Sequence, residues 1–254
     1  MAEIIFKTEN VIKQYRKFDV STFRYETYDA LNDFNMEIHK GDIYGFVGKN
    51  GAGKTTLIRL LAGLVQQTDG TVELFSESVS DKLYLQRYRI NGFIEKPALN
   101  SALTAQDNLK ICCLQRGLEY TNCINEVLEE SGLSQFDIKN VKVRNFSLGM
   151  KQRLGIAMAL LGKPELLFLD EPLNGLDPEG IRDFRKLIKK LHQEYGTTIL
   201  ISSHQLRELT QVATCYGFIH KGKMLEQISA EDLKRKIDSE DLEEYFISLI
   251  NKKQ

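Results

Sequence analysis

The chain has 254 residues and a formal net charge of -1 at pH 7, with basic and acidic side chains nearly balanced. That length allows one large α/β domain, or a core with a smaller subdomain. The charge balance gives no broad basic surface for nucleic acid, and the longest apolar runs, 156–161 and 166–169, fall well short of the roughly 18 residues that mark a membrane span.

The first residues, Met1 to Glu9, show no basic region followed by a long apolar stretch, so a cytosolic protein is expected. Two short apolar segments, Ile4 to Tyr15 and Asp33 to Val47, are broken by polar turns such as His39-Lys40-Gly41-Asp42. They predict several short antiparallel strands. Between them, Arg16 to Tyr28 is polar and aromatic without clear period, which predicts a loop or hairpin excursion.

Next comes Gly48-Lys49-Asn50-Gly51-Ala52-Gly53-Lys54-Thr55-Thr56, which fits the phosphate-binding pattern G-x-x-x-x-G-K-[ST]. A strand-like run, 42–47, enters it and a helix-like run, 56–62, leaves it, as the motif requires. Glycines let the backbone wrap closely around phosphates with its amides pointing inward. Lys54 is then expected to reach the outer phosphates as a point charge, and Thr55 to offer its hydroxyl to magnesium. The helix that follows would turn its positive end to the anion.

Asp69-Gly70 signals a turn, and 71–75 a further strand. From about Thr104 to Leu161, helix formers carry apolar residues at helical spacing, including Leu109, Cys112, Cys113, Leu114, Val127, Leu128 and Leu133. Two buried-strand patterns follow, 165–170 and 197–202, of the kind that suits a parallel sheet covered on both faces. The tail ends in 241–250, an amphipathic helix expected to fold back onto its own body, since its polar face is acidic rather than basic. The four cysteines, Cys112, Cys113, Cys123 and Cys215, lack C-x-x-C spacing and nearby paired histidines. They read as reduced, small apolar residues rather than zinc ligands or a disulfide framework.

The strand 166–169 delivers Asp170 and Glu171 at its C-terminal end, where open α/β sheets bind ligands. Asp170 is placed to hold magnesium through water. Glu171 can orient and deprotonate the water that attacks a γ-phosphate.

In order, the chain carries the phosphate loop, Glu95, Asn145-Phe146-Ser147-Leu148-Gly149-Met150-Lys151-Gln152-Arg153, Asp170-Glu171, Asn174-Gly175-Leu176-Asp177 and Ser202-Ser203-His204. That order and spacing resemble the ATP-binding subunit of ABC transporters over nearly the whole chain. The resemblance implies an α/β fold: a P-loop NTPase (RecA-like) core with an N-terminal antiparallel β subdomain and an inserted helical subdomain. The expected limits are 1–95 and 162–228 for the β subdomain and core, 96–161 for the helical insertion and 229–254 for a helical tail.

The same resemblance implies ATP and Mg2+ as ligands, and a dimer with itself or a paralogue that sandwiches two nucleotides. Ser147 and Gly149 then contribute a hydroxyl and an open amide to the partner's phosphate, with Leu148 standing where the family usually has glycine. Asp177 falls in the loop that lies across the dimer interface, and His204 is the switch histidine at the γ-phosphate. Tyr15 is expected to stack on adenine, with Tyr25 or Tyr28 as replacements. Glu95 stands where most members have a glutamine that contacts magnesium and couples to the membrane partner. A glutamate there, in Gly92-Phe93-Ile94-Glu95-Lys96-Pro97, resembles the lantibiotic immunity and bacitracin-type exporters. These act with separately encoded membrane permease subunits, so the expected location is cytoplasmic, on the inner face of the membrane. A soluble ABC ATPase with a regulatory or ribosome-associated role is the alternative. Such proteins usually carry two cassettes and often a basic linker, and this chain has one cassette and no such charge run. A small-molecule kinase fits less well, because Asp170, Glu171, Asp177 and His204 suit activation of water.

Overall fold

A computed structural model describes residues 3–21, 23–79, 86–120, 123–204, 206–237 and 242–252. The chain divides into two compact units, residues 1–86 with 202–254, and residues 87–201.

In the first unit, β1 (Ile4–Asp19) and β2 (Arg24–His39) form an antiparallel ribbon, each strand 16 residues long. The sequence reading anticipated shorter strands with a loop or hairpin between them. The ribbon is longer because pairing continues through Arg16↔Thr27, Lys17↔Glu26 and Phe18↔Tyr25. There the first six residues of β2 are all exposed, so no apolar alternation marks the strand in the sequence. Aromatic contacts hold the tip instead: Phe18 and Tyr25 meet edge to face at 5.2 Å. Nearer the core, Phe6, Val11, Leu31, Phe34 and Ile38 are fully buried. The ribbon continues through β4 (Asp69–Leu74) to β5 (Glu77–Ser78) in a four-stranded antiparallel sheet ordered β2-β1-β4-β5.

The same unit holds β3 (Ile43–Val47), buried throughout, paired parallel with β9 (Cys215–His220), which pairs antiparallel with β10 (Lys223–Ser229). β3 runs directly into the loop that precedes α1 (Lys54–Leu61).

In the second unit, β6 (Ile90–Phe93) pairs parallel with β7 (Leu166–Asp170), and β8 (Thr198–Ser203), whose last two residues belong to the first unit, lies on the other side of β7. All five residues of β7 are buried, which explains its uninterrupted apolar run. The stretch read as helical holds α2 (Ala105–Gln115), α3 (Cys123–Glu130), a 3-10 turn at Val143–Asn145 and α4 (Leu148–Leu160). α2 starts at Thr104, whose side chain accepts from the Asp107 amide. Within α2, Leu109 and Cys113 are buried while Leu114 is 66% exposed, so the apolar stripe is narrower than its composition implies. α5 (Pro178–Tyr195) follows β7, with proline in its first turn and Gly196 closing it in the left-handed conformation.

The remaining helices, α6 (Leu206–Leu209), α7 (Ala230–Ile237) and α8 (Leu242–Lys252), belong to the first unit. α8 folds back as its amphipathic pattern predicts. Phe246 stacks on Phe218 of β9 at 5.8 Å and Tyr245 meets the same ring edge-on at 5.8 Å. No described helix is long and apolar enough to cross a membrane.

Candidate functional site

The phosphate loop fits an anion on its own geometry. Gly51 and Gly53 hold φ at 78° and 114°, in the left-handed region that side chains resist. A Cβ on Gly53 would lie 2.6 Å from the Ala30 carbonyl, and one on Gly48 would lie 2.6 Å from the Ile219 side chain. Gly48 is therefore fixed by packing, and Gly53 by packing as well as by conformation. Gly53 is also the N-cap of α1 and supplies no side chain to cap it. The positive N-terminal end of that helix thereby opens onto the loop, an arrangement that favours an anion. Lys54 is 6% exposed, and its Nζ donates to the carbonyls of Gly48 at 2.6 Å and Lys49 at 3.4 Å. The ammonium is thus held inside the loop that an oligophosphate would enter. Ala52 is buried and Thr56 almost so, while Asn50 and Gly51 are exposed and Thr55 is partly so.

Sequence reasoning did not single out His220, at the end of β9 one residue beyond Ile219. Its Nε2 is buried and makes no hydrogen bond among the described residues. Burial, then the charges of Lys221 and of Lys49 in the phosphate loop, push its pKa down and keep the ring neutral. The only sequence signal was its place at the end of an apolar run.

In the second unit, Asp170 is 1% exposed at the last position of β7. Glu171 follows with φ at 50°, a left-handed conformation that turns the chain sharply out of the strand. The Glu95 backbone amide donates to Oδ2 of Asp170 at 3.3 Å, so residues 75 apart in sequence meet. Glu95 is itself exposed and left-handed, with φ at 60°.

The approach of this loop rests on residues to which sequence reasoning gave no separate role. Gly92 packs so closely on β7 that a Cβ there would lie 1.9 Å from the Phe168 carbonyl. Asn91 accepts from the Gly92 amide and donates to the carbonyls of Met158 and Leu161 at 3.0 and 3.3 Å. Pro97 packs on Gly155 of α4, where a Cβ would come within 2.0 Å of the ring. Gln152, 6% exposed, donates to the carbonyl of Pro172 at 2.7 Å, tying α4 to the turn just after Glu171.

Ser147 caps α4, its Oγ accepting from the Met150 amide at 3.2 Å. It is exposed, and its hydroxyl proton remains available to an anion. Nothing crowds Gly149, where an added Cβ would make only ordinary van der Waals contact, its nearest atom at 3.8 Å. Leu148 is 63% exposed and packs against Gly175, where a Cβ would approach it to 2.3 Å. Its side chain therefore turns toward 174–177 rather than across the Gly149 amide. Asp177 caps α5, accepting from the Gly180 amide at 2.8 Å. Ser147, Gly149, Gly175 and Asp177 line one open cleft of about 590 Å3, with Phe136 and Arg153. His204 follows β8 and is exposed.

Of the tyrosines, Tyr15 is partly buried, its ring 5.9 Å from that of Tyr28 and 5.1 Å from Lys13 Nζ. Tyr25 and Tyr28 are 72% and 53% exposed. Tyr25 belongs to the tip cluster with Phe18, which leaves Tyr15 and Tyr28 together on the body of the ribbon.

The oxygen donors present, a threonine hydroxyl and carboxylates, suit magnesium. Among the described residues no group of three or more His, Cys, Asp or Glu side chains could hold a metal alone.

The ABC transporter family model matches residues 31–174. The bacitracin transport ATP-binding protein BcrA of Bacillus licheniformis is 49% identical over 216 residues, covering 85% of this chain and 70% of that protein. The lantibiotic transport ATP-binding protein SrtF of Streptococcus pyogenes is 40% identical over 243 residues, 95% of this chain and 96% of that protein. A dimeric ATP-binding cassette solved in a post-hydrolysis state with ADP and Pi superposes with a TM-score of 0.80 at 25% identity, covering 89% of this chain and 99% of that one. With a glycine-lined anion cradle and a carboxylate pair at a strand end, the chain belongs to the ABC transporter family as an ATP-binding subunit that hydrolyses ATP.

Proposed function

We propose that the chain drives export of a peptide antibiotic of the bacitracin or lantibiotic class through a separately encoded permease. The observation that carries this reading is its likeness, at 40–49% identity, to subunits named for bacitracin and lantibiotic transport. Glu95, a carboxylate whose amide rests on Asp170, is consistent with the same group. The chain works on the cytoplasmic face, held there by the permease. The reading of a soluble regulatory ATPase is not favoured, because no relative named above is of that kind.

In this proposal Gly48 to Thr56 wrap the phosphates and Lys54 balances the charge at the outer ones. Tyr15 stacks on the base. Thr55, Asp170 and Glu95 would hold magnesium, which would supply positive charge against the negative charge developing on the phosphates. Glu171 takes the proton of the attacking water, and His204 hydrogen-bonds the γ-phosphate and orients that water. Ser147 and Gly149 serve the nucleotide of a second subunit, with Asp177 linking the two sites, so ATP binding closes the pair and hydrolysis reopens it.

The test is affinity purification from membranes of the native host, together with deletion of the gene. A co-purifying membrane protein with several spans, and raised sensitivity to bacitracin or a lantibiotic but not to an unrelated antibiotic, is the expected result. Recovery with ribosomes, or unchanged sensitivity to both antibiotics, overturns the export reading.

A further inference from the structure

Two thiols of the second unit face each other. Cys113 lies in α2, fully buried, and Cys123 opens α3, partly exposed. Their sulfurs are 3.5 Å apart, in van der Waals contact, and Cys123 also donates to the Glu119 carbonyl at 3.2 Å. Such a pair needs only a small local movement to reach the S–S bond length of about 2.05 Å. Cys112, adjacent to Cys113 in sequence, is rotated about 100° around the helix from it and is therefore not an equivalent partner. Neither thiol has a role in nucleotide binding or hydrolysis.

We propose that Cys113 and Cys123 are a dithiol site that a hydroperoxide oxidises to an intramolecular disulfide linking α2 to α3. The Cys123 thiolate attacks the peroxide and breaks its O–O bond, giving a sulfenic acid on Cys123 and releasing hydroxide, or alkoxide from an organic peroxide. The Cys113 sulfur then attacks the Cys123 sulfur. The S–S bond forms as the S–O bond breaks, and the departing hydroxide takes the Cys113 proton to leave as water. With hydrogen peroxide, two thiols and one peroxide give one disulfide and two waters, the thiols supplying both electrons. The order follows from access, because the oxidant reaches Cys123 and not the buried Cys113. Burial, reinforced by the hydrogen bond with Cys123, pushes the Cys113 pKa up to about 12, so this sulfur stays protonated until the sulfenic acid lies against it.

The disulfide closes a short loop around residues 114–122 and pins the start of α3. α3 carries Glu130, which accepts from Lys190 at 3.3 Å and from Tyr195 at 3.1 Å on α5. Oxidation therefore restrains one side of a small packed group of helices while leaving the first unit chemically unchanged.

The experiment treats the full chain with substoichiometric hydrogen peroxide and reads free thiols, intact mass and disulfide-linked peptides by mass spectrometry. The expected result is loss of two of the four thiols, a mass decrease of two hydrogens and a Cys113–Cys123 peptide, all reversed by dithiothreitol. Cys112→Ser and Cys215→Ser should leave the product unchanged, and Cys123→Ser should abolish it. Oxidation in urea provides the control for proximity, where the same peptide should fall to one among several pairings. A native product linked through Cys112 or Cys215, a disulfide between chains, or over-oxidation of Cys123 to sulfinic acid with Cys113 still reduced would each overturn the proposal.

Discussion

Glu171 sits in a left-handed turn immediately after a wholly buried strand, a conformation that turns the chain sharply out of the sheet just past Asp170. Removing its charge while keeping its shape separates binding from chemistry. Glu171→Gln should bind ATP as the wild type does but lose roughly 10²–10⁴-fold in turnover, measured as phosphate release against nucleotide affinity, since general base catalysis contributes about that much. Unchanged turnover would remove Glu171 from the role of base. Gly53 offers a second residue-level test, with φ at 114° and a Cβ position only 2.6 Å from the Ala30 carbonyl. Gly53→Ala should therefore abolish ATP binding by deforming the loop. If the variant keeps its helical circular dichroism but binds ATP normally, the steric argument fails. At Glu95, substitution by glutamine keeps the backbone donor to Asp170 and removes a charge. Glu95→Gln is expected to require more magnesium for half-maximal ATPase, because a neutral amide binds a hard cation less well than a carboxylate does.

At the scale of elements, α4 links two parts of the site. Its start is capped by Ser147, and five residues further on Gln152 is buried and donates to the Pro172 carbonyl next to Glu171. Gln152→Ala leaves that carbonyl without its partner and opens a small cavity. The expected cost is about 1–3 kcal/mol in urea unfolding, the usual penalty for a buried group deprived of its hydrogen bond. Turnover should fall as well, because the turn that carries Glu171 loses an anchor, and wild-type turnover in a destabilised protein would show that the bond serves stability alone. Leu148 behaves differently. Its side chain rests on Gly175, so the missing glycine of the usual signature is absorbed by packing within this unit rather than by crowding Gly149. Two caps thereby do double duty, since Ser147 and Asp177 start α4 and α5 and line one cleft.

At the scale of the whole molecule, the tail shows how a distant segment is held. Glu226 of β10 accepts from Lys236 of α7 and from Tyr245 of α8. Burial pushes its carboxyl pKa up, but those two hydrogen bonds and the Lys236 charge outweigh it and hold the pKa below the usual 4.5. A depressed folded-state pKa gives stability that is present in full above the unfolded pKa and lost as pH falls through the folded one. Acidification below about pH 4.5 should thus loosen α7 and α8 in the wild type. Glu226→Gln should show a smaller loss over the same range and a lower stability at pH 7. The chain has no tryptophan, so tyrosine fluorescence and circular dichroism against urea provide the readout. A wild type and variant with the same acid dependence would exclude Glu226 as its source.

The sequence by itself determined the chemistry. The glycine spacing of 48–56, the apolar strand ending in Asp170 and Glu171, and the order of the later motifs are local patterns, legible because each is set by backbone conformation or by an uninterrupted buried run. The amphipathic tail was legible for the same reason, its period being that of a helix. The length of the β1–β2 ribbon was not, because its outer half is exposed on both faces and leaves no alternation to read. Only the tertiary structure decided that the Glu95 amide meets Asp170, that Gln152 holds Pro172, that Leu148 leans on Gly175 and that Cys113 touches Cys123. Each of these joins residues distant in sequence or facing across a turn, and such contacts depend on how elements pack, which no local pattern encodes.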